Sequence, residues 1–199
     1  TVSRRDIRFN REIATFLQLG IPLALQECLT NISFLILCAI INNMGLEASS
    51  GYGIAQQVVS VIMLIPSSLM QSMSALVTGM AIGVTIGVFI CALSFFKGDI
   101  PSSLFTSNEV FIEKSAEYLR GFSPEAVLTC IVFSYIGYFN GHSKPLPVMV
   151  QGITASFLVR VPLTYLFSLK PGASLVDIGI AVPLASVYGI LFFAVCYLF

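Results

Sequence analysis

Long hydrophobic runs separated by short polar segments make up most of the chain. Six runs stand out, at residues 13–41, 51–77, 79–96, 110–140, 146–168 and 175–199. A helix that spans a membrane needs about 17 to 25 mostly apolar residues, and each run supplies them. A membrane β-barrel would instead show alternating segments of about ten residues. The pattern therefore predicts an all-α fold, a bundle of about six transmembrane helices.

One turn between the predicted spans has no charged or proline marker. The sequence is uncharged from Ala48 to Phe96. As one helix this run would be about 73 Å long at 1.5 Å per residue, whereas the hydrocarbon core of a bilayer is about 30 Å thick. We therefore expect the chain to fold back near residues 75–79, where Ser74, Thr78 and Gly79 are the only residues that favour a turn.

The composition supports a membrane protein and argues against several function classes. Charged residues make up 10% of the chain and hydrophobic residues 56%, whereas soluble domains carry about 25% charged residues. The formal net charge is zero, so no basic face is available for nucleic acid. His142 is the one histidine, which excludes a His-rich metal site, and the chain has no glycine-rich phosphate loop. We expect neither an enzyme nor a metal or organic cofactor.

Basic residues before the first span predict the orientation in the membrane. Arg4, Arg5, Arg8 and Arg11 form a dense cluster next to that span. Lys and Arg accumulate on the cytoplasmic side of membrane proteins. With six spans, both termini are then expected in the cytoplasm, in a multi-pass protein of the cell membrane.

Three ionisable side chains fall in the apolar interior of predicted spans, beyond the charged first turns of the span at 110–140, where charge is costly and usually functional. Glu27 lies near the middle of span one, next to Gln26 and one turn before Asn31. It must be protonated, paired or exposed to an aqueous cavity, and we expect it to bind a cation or substrate. A structural hydrogen-bonded glutamate is the alternative. For Glu125 and Arg160 we expect a structural ion pair between spans four and five, with Glu27–Arg160 as the competing pair.

Glycine and methionine residues give two further expectations. Gly79, Gly83 and Gly87 recur at every fourth position of span three, which predicts a face for close helix packing. Adaptable apolar side chains would contact a substrate, since thioethers repack easily. The candidates, for which lipid contact or helix packing is the alternative role, are Phe34, Met63, Met70 and Met73.

Several segments resemble the multidrug and toxic compound extrusion (MATE) transporters, most closely their DinF-like branch. They include SSGYGIAQQVVSVIMLIPSSLMQSMSALV, EYLRGFSPEAVLTCIVFSYIGYFNGHSKP and MVQGITASFLVRVPLTYLFS. The resemblance implies twelve helices in two six-helix lobes, with a central cavity that alternates between the membrane faces. It also implies export of cationic or amphipathic compounds in exchange for H⁺ or Na⁺. Residues 12–199 resemble the C-terminal lobe, and residues 1–11 resemble the end of the cytoplasmic linker between the lobes.

The chain departs from the family pattern in three ways. The N-terminal lobe, its expected partner besides lipid and small organic cations, has no counterpart in the sequence. The acidic positions of the NorM branch correspond to Thr30 and Thr129, which leaves these two residues as weaker candidates for cation or substrate binding. Relatives carry a polar connector where this chain continues from Val77 to Thr78, so we expect a deletion or an omitted loop there. A homodimeric carrier and a non-functional transporter fragment therefore stay open as alternatives.

Overall fold

The computed structural model describes residues 11–72, 76–170 and 172–198, and these residues are almost entirely helical. The helices are α1 (Arg11–Asn42), α2 (Leu46–Ser72), α3 (Leu76–Lys97), α4 (Asp99–Ser103), α5 (Glu109–Phe122), α6 (Glu125–Gly141), α7 (Pro145–Thr154), α8 (Val161–Ser168) and α9 (Leu175–Leu198). A π-helical segment, Ala155–Arg160, joins α7 to α8. The described residues contain no strand, which confirms the all-α prediction.

Most of the predicted spans correspond to helices that can cross a membrane. By length and composition, four described segments qualify: Gly20–Asn42, Leu46–Ser68, Pro145–Ser168 and Leu175–Leu198. The pair α5 and α6 qualifies as a fifth when counted as one broken span. Within α3, the stretch Ala81–Lys97 is a shorter apolar helix. The fold therefore provides six helical units, of which five meet the criteria for a span.

The predicted span at 110–140 is wrong as one continuous helix. It consists of α5 and α6, whose axes are bent by 50°. The break falls at Ser123 and Pro124, because proline has no N–H to continue the helical ladder. The polar segment that follows the predicted third span contains the short helix α4. In this helix the Ser102 hydroxyl donates to the Gly98 carbonyl at 2.8 Å.

The predicted turn at residues 75–79 is wrong for residues 76–79, which lie in α3. Helix α2 ends at Ser72 and α3 begins at Leu76, so Thr78 and Gly79 are helical and form no turn. Ser74 and Ala75 lie outside the described residues. Val77 and Thr78 are successive residues of α3. The position of the expected deletion or omitted loop therefore lies within a continuous helix. Whether relatives carry a longer connector there stays a prediction.

Helix packing forms two apolar clusters. The first joins α1, α2, α5 and α9 through buried residues that include Leu119 and Ile178. The second joins α6, α7 and α9 around Phe193. On α3, Gly83 and Gly87 are buried, and a Cβ at Gly87 would lie 2.7 Å from the Ala126 carbonyl oxygen of α6. This close approach is what the predicted glycine face implies; the surroundings of Gly79 lie outside the described residues.

Candidate functional site

A cavity of about 250 Å³ lies inside the helix bundle. Its walls come from α1, α2, α5, α6, α7, α9 and the π-helical segment. The polar lining residues are Gln26, Thr30, Gln56, Glu125, Thr129, Gln151, Ser156, Arg160 and Ser186, and the apolar ones include Phe34, Val59, Met63, Phe122, Val132 and Phe133. A mainly apolar pocket with a few converging polar groups is typical of a small-molecule site.

Glu125 places a carboxylate on the wall of this cavity. It is the first residue of α6, directly after the bend, and only 5% of its surface is exposed. Oε1 accepts hydrogen bonds from the hydroxyls of Thr129 and Ser186, each at 2.7 Å. Oε2 is buried and has no hydrogen-bond partner among the described residues. Since buried polar atoms are nearly always partnered, Oε2 is an open acceptor for a ligand.

Arg160 places a guanidinium on the wall of the same cavity. The carbon Cζ lies 4.6 Å from the ring centroid of Phe34 on α1, in a cation–π contact. Within the described parts of the chain, Nε and Nη1 are buried without a hydrogen-bond partner. The cavity thus holds open donors as well as an open acceptor.

Local backbone structure sets the position of Arg160. It is the last residue of the π-helical segment, in which the Val161 N–H donates to the Ser156 carbonyl five residues earlier. Pro162 follows at once and cannot donate to the Leu158 carbonyl as an α-helix would require. A π-helical turn is rare and common at functional sites. Ser156 and Arg160, both in this segment, line the cavity.

The predicted ion pair between Glu125 and Arg160 is wrong as a direct contact. The ion pairs among the described residues are Lys114–Glu117 at 3.0 Å and Lys170–Asp177 at 3.9 Å. Neither Glu125 nor Glu27 therefore comes within 4.0 Å of Arg160 in a salt bridge. The reason is that Glu125 is held by two hydroxyls and the guanidinium lies over Phe34. The two charges share a cavity without neutralising each other directly.

The structure divides the predicted site residues of α1 between two faces. Gln26 and Thr30, one turn apart, line the cavity, and Gln26 Oε1 is buried without a partner in the described part of the molecule. Glu27 and Asn31 follow them by one residue each, and both are exposed outside the cavity. A role for Glu27 in cation or substrate binding stays a prediction, but it would act outside this cavity.

The structure places several other predicted residues on the cavity wall, and their contact with a cation or substrate stays a prediction. Thr129 of α6 lines the cavity and donates to Glu125. Phe34 and Met63 are lining residues as expected of adaptable contacts. The side chain of Met70 and all of Met73 lie outside the described residues.

Sequence reasoning missed Gln56, Gln151, Ser156 and Ser186. Each is an uncharged polar residue in an apolar run, a weaker signal than an ionisable one. Gln56 donates to the Tyr52 hydroxyl, whereas its neighbour Gln57 is exposed, and the sequence alone does not tell which of the two faces inward.

Two glycines make room for the cavity amides. A Cβ at Gly152 of α7 would lie 2.7 Å from Cγ of Gln26. A Cβ at Gly189 of α9 would collide with Nε2 of Gln151. Real Cβ contacts of this kind are essentially not seen. A glycine on a neighbouring helix therefore leaves space for each of the two glutamine side chains. The sequence alone does not show these pairs, because each pair joins two different helices.

Comparison with known proteins places this geometry in context. The MatE family model matches residues 74–166, a range that contains Glu125, Thr129 and Arg160. A search of curated protein sequences finds no match. The fold is similar to several solved transporter structures at identities of 18% to 19%.

Three of these structures illustrate the likeness. A MOP superfamily transporter from Pyrococcus furiosus, described as having a binding pocket of reverse polarity, is 18% identical with a TM-score of 0.83, covering 99% of this chain and 49% of that one. An outward-facing multidrug resistance MATE transporter is 19% identical with a TM-score of 0.81, covering 98% and 49%. An inward-facing one is 18% identical with a TM-score of 0.75, covering 98% and 50%.

The chain spans about half the length of the structures that it resembles. The expected DinF-like branch and the assignment to the C-terminal lobe stay predictions. The chain therefore matches the MatE family model over residues 74–166 and has the fold of one half of a MATE transporter.

Proposed function

We propose that the chain is one half of a secondary active efflux transporter that exports cationic or amphipathic organic compounds in exchange for H⁺ or Na⁺. The cavity around Glu125 carries this proposal, because a buried carboxylate oxygen without a partner in the described residues lies beside aromatic and aliphatic walls. Ionisable groups inside a membrane mark ion and substrate paths.

Glu125 is the proposed site of the coupling ion. Its Oε2 is open, and the hydroxyls of Thr129 and Ser186 hold its other oxygen in place. A proton or a sodium ion on Oε2 would compete with the positive group of a substrate for the same oxygen. Two ligands that bind to one group weaken each other's affinity by the same factor. Competition of this kind is what an exchanger needs.

The apolar wall supplies the contact for the rest of a substrate. Phe34, Phe122 and Phe133 present rings, and Met63 presents a flexible thioether. Aromatic side chains bury large areas, and methionine adapts to ligands of different shape. These properties support binding of several amphipathic compounds rather than one.

A second lobe is the proposed partner of the chain. Only 17% of an 18-residue stretch within Gly20–Asn42 of α1 is buried, and Ile21, Leu25 and Leu35 are among its exposed apolar side chains. An N-terminal six-helix lobe, with lipid around it, would cover this face in the cell membrane. The half-length match to the solved transporters supports the same arrangement.

Dye efflux from cells tests this proposal. The chain is expressed alone, and also together with an N-terminal six-helix lobe of a MATE transporter, and ethidium efflux is followed by fluorescence. We expect efflux only from cells with both halves, and collapse of the ion gradient to stop it. Efflux by the chain alone would contradict the half-transporter and favour a homodimeric carrier. If neither combination exports ethidium although both halves are present in the membrane, the result would favour the alternative that the chain is a non-functional transporter fragment.

A further inference from the structure

Export of organic cations gives Glu125 a role but leaves the second charge of the cavity unexplained. We propose that the ligand of this cavity is a small zwitterion, an amino acid with an apolar side chain, whose ammonium group binds Glu125 and whose carboxylate binds Arg160. The inference rests on the proposed function only in taking the cavity as the transport site, and it narrows the substrate class.

The open atoms of the cavity come in two complementary kinds. Oε2 of Glu125 and Oε1 of Gln26 accept hydrogen bonds, whereas Nε and Nη1 of Arg160 donate them, and all four are buried without a partner in the described ranges. An ammonium group carries only donors, and a carboxylate carries only acceptors. A ligand that has both groups would satisfy both open sites at once.

Protein contacts keep the two charges apart. The carboxylate is anchored through Oε1 by Thr129 and Ser186. The guanidinium is anchored by the Phe34 ring. No salt bridge joins Glu125 to Arg160 among the described residues. Neither charged group is therefore engaged by the other, and both line the same cavity.

A ligand with a single charge fits this cavity less well than a zwitterion. An organic cation would pair with Glu125 and leave the Arg160 donors buried and unpaired, and an organic anion would do the reverse. An unpaired buried charge weakens binding strongly. A site built to hydrogen-bond a polar group also rejects analogues that lack this group far more strongly than a hydrophobic pocket rejects a missing methylene. The two charges thus select for a ligand that carries both.

The volume and the apolar lining limit the rest of the ligand. An apolar cavity of about 150 Å³ binds benzene, so 250 Å³ suits a molecule of roughly ten non-hydrogen atoms by proportion. Val59, Phe122 and Phe133 line the apolar part. Phenylalanine, with about twelve non-hydrogen atoms and an apolar ring, is close to this size.

Three ligands with one carbon frame test the proposal. L-phenylalanine carries both charges, phenethylamine carries only the ammonium group, and 3-phenylpropionate carries only the carboxylate. Binding to the purified full chain in detergent is measured by isothermal titration calorimetry. We expect L-phenylalanine to bind about tenfold or more tightly than either analogue, as the loss of a charge-assisted hydrogen bond implies.

Charge-removing variants assign each group of the ligand to its residue. Glu125→Gln should weaken L-phenylalanine and phenethylamine but leave 3-phenylpropionate unchanged. Arg160→Gln should weaken L-phenylalanine and 3-phenylpropionate but leave phenethylamine unchanged. Glu113→Gln and Arg120→Gln make the same chemical changes on exposed residues of α5, and they should leave all three affinities unchanged. Circular dichroism of each variant verifies that the helices are retained.

The comparison of ligands on the unmodified chain decides the proposal even where a variant fails to fold. Binding of phenethylamine as tight as that of L-phenylalanine would overturn it in favour of a cation site, and equal binding of 3-phenylpropionate would overturn it in favour of an anion site. Absence of binding by L-phenylalanine would also overturn it. Ethidium efflux by the two-lobe protein is independent of these results, so this inference can fail while the proposed function stands.

Discussion

Ser186 of α9 donates a 2.7 Å hydrogen bond to Oε1 of Glu125 in α6, across 61 residues of sequence. This contact fixes the first turn of α6 against α9, next to the bend between α5 and α6. It occupies one oxygen of the carboxylate together with Thr129 and leaves the other oxygen open to the cavity. The relationship between these two residues therefore links the packing of the bundle to its proposed chemistry.

Ser186→Ala tests how strongly this contact holds the carboxylate. A hydrogen bond to a charged group contributes about 1.5–3 kcal/mol, and Thr129 retains part of it, so we expect a loss of about 1–2 kcal/mol in the free energy of unfolding. Denaturant titration in mixed micelles measures this loss. Ser103→Ala is the matched control, because its exposed hydroxyl donates only to the Ile100 carbonyl, and it should change stability by less than about 0.5 kcal/mol. Equal effects of the two changes would contradict the assigned contact.

Gly152→Ala tests the close approach of α7 to the side chain of Gln26. The new Cβ would lie 2.7 Å from Cγ and 2.8 Å from Nε2 of Gln26, so the amide must leave its place on the cavity wall. Overpacking of this kind costs about 1–3 kcal/mol. We expect lower stability and weaker ligand binding in the same variant, measured by denaturant titration and calorimetry.

Gly53→Ala is the control for that change. A Cβ at Gly53 of α2 meets no atom within 4 Å. Replacing a glycine inside a helix by alanine at such a position stabilises by about 0.5–1 kcal/mol. We therefore expect Gly152→Ala to lower the free energy of unfolding and Gly53→Ala to raise it. A stabilising Gly152→Ala would show that α7 and Gln26 are farther apart than described.

Phe34→Leu tests the ring under Arg160. Leucine keeps an apolar side chain but removes the cation–π contact of 4.6 Å, which is worth about 0.5–2 kcal/mol. We expect weaker binding of a ligand carboxylate, because the guanidinium loses its anchor, and Phe34→Tyr should restore the binding. Calorimetry with L-phenylalanine measures both variants.

Phe167→Leu provides the comparison at an exposed site. Lys170 lies 4.5 Å over the Phe167 ring, but its side chain is 55% exposed. Such a contact contributes at the low end of the range, and neither residue is among the described residues that line the cavity. No change in binding is expected there. A loss of binding equal to that of Phe34→Leu would contradict a specific role for Phe34.

The long apolar runs made the helical architecture predictable from the sequence. Their periodicity and length mark spans regardless of partner helices, and the glycine repeat that includes Gly83 and Gly87 marked a packing face. The bend at Pro124 was less visible, because a proline in a membrane helix is often tolerated without a break. Helix α4 was hidden in a short polar segment that reads equally well as a loop.

The candidate site was predictable in its residue types but not in its arrangement. Gln26, Thr30, Thr129, Glu125 and Arg160 were all singled out, and all line the cavity. Glu27 was favoured over them, yet a step of one residue turns a helical side chain by about 100°, which is enough to place it on another face. The π-helical segment that ends at Arg160 has no sequence signal beyond Pro162. The sequence therefore did not reveal that Arg160 and Glu125 make no salt bridge among the described residues.

Comparison of Glu125→Gln with Glu27→Gln tests the central claim most directly. Both variants are made in the chain co-expressed with an N-terminal lobe, and ion-driven ethidium efflux is measured at equal protein levels in the membrane, with Glu113→Gln as the exposed control. If the cavity around Glu125 is the site of ion and substrate exchange, efflux is lost in Glu125→Gln. Efflux is then retained in Glu27→Gln and Glu113→Gln. Retained efflux in Glu125→Gln together with its loss in Glu27→Gln would contradict the account.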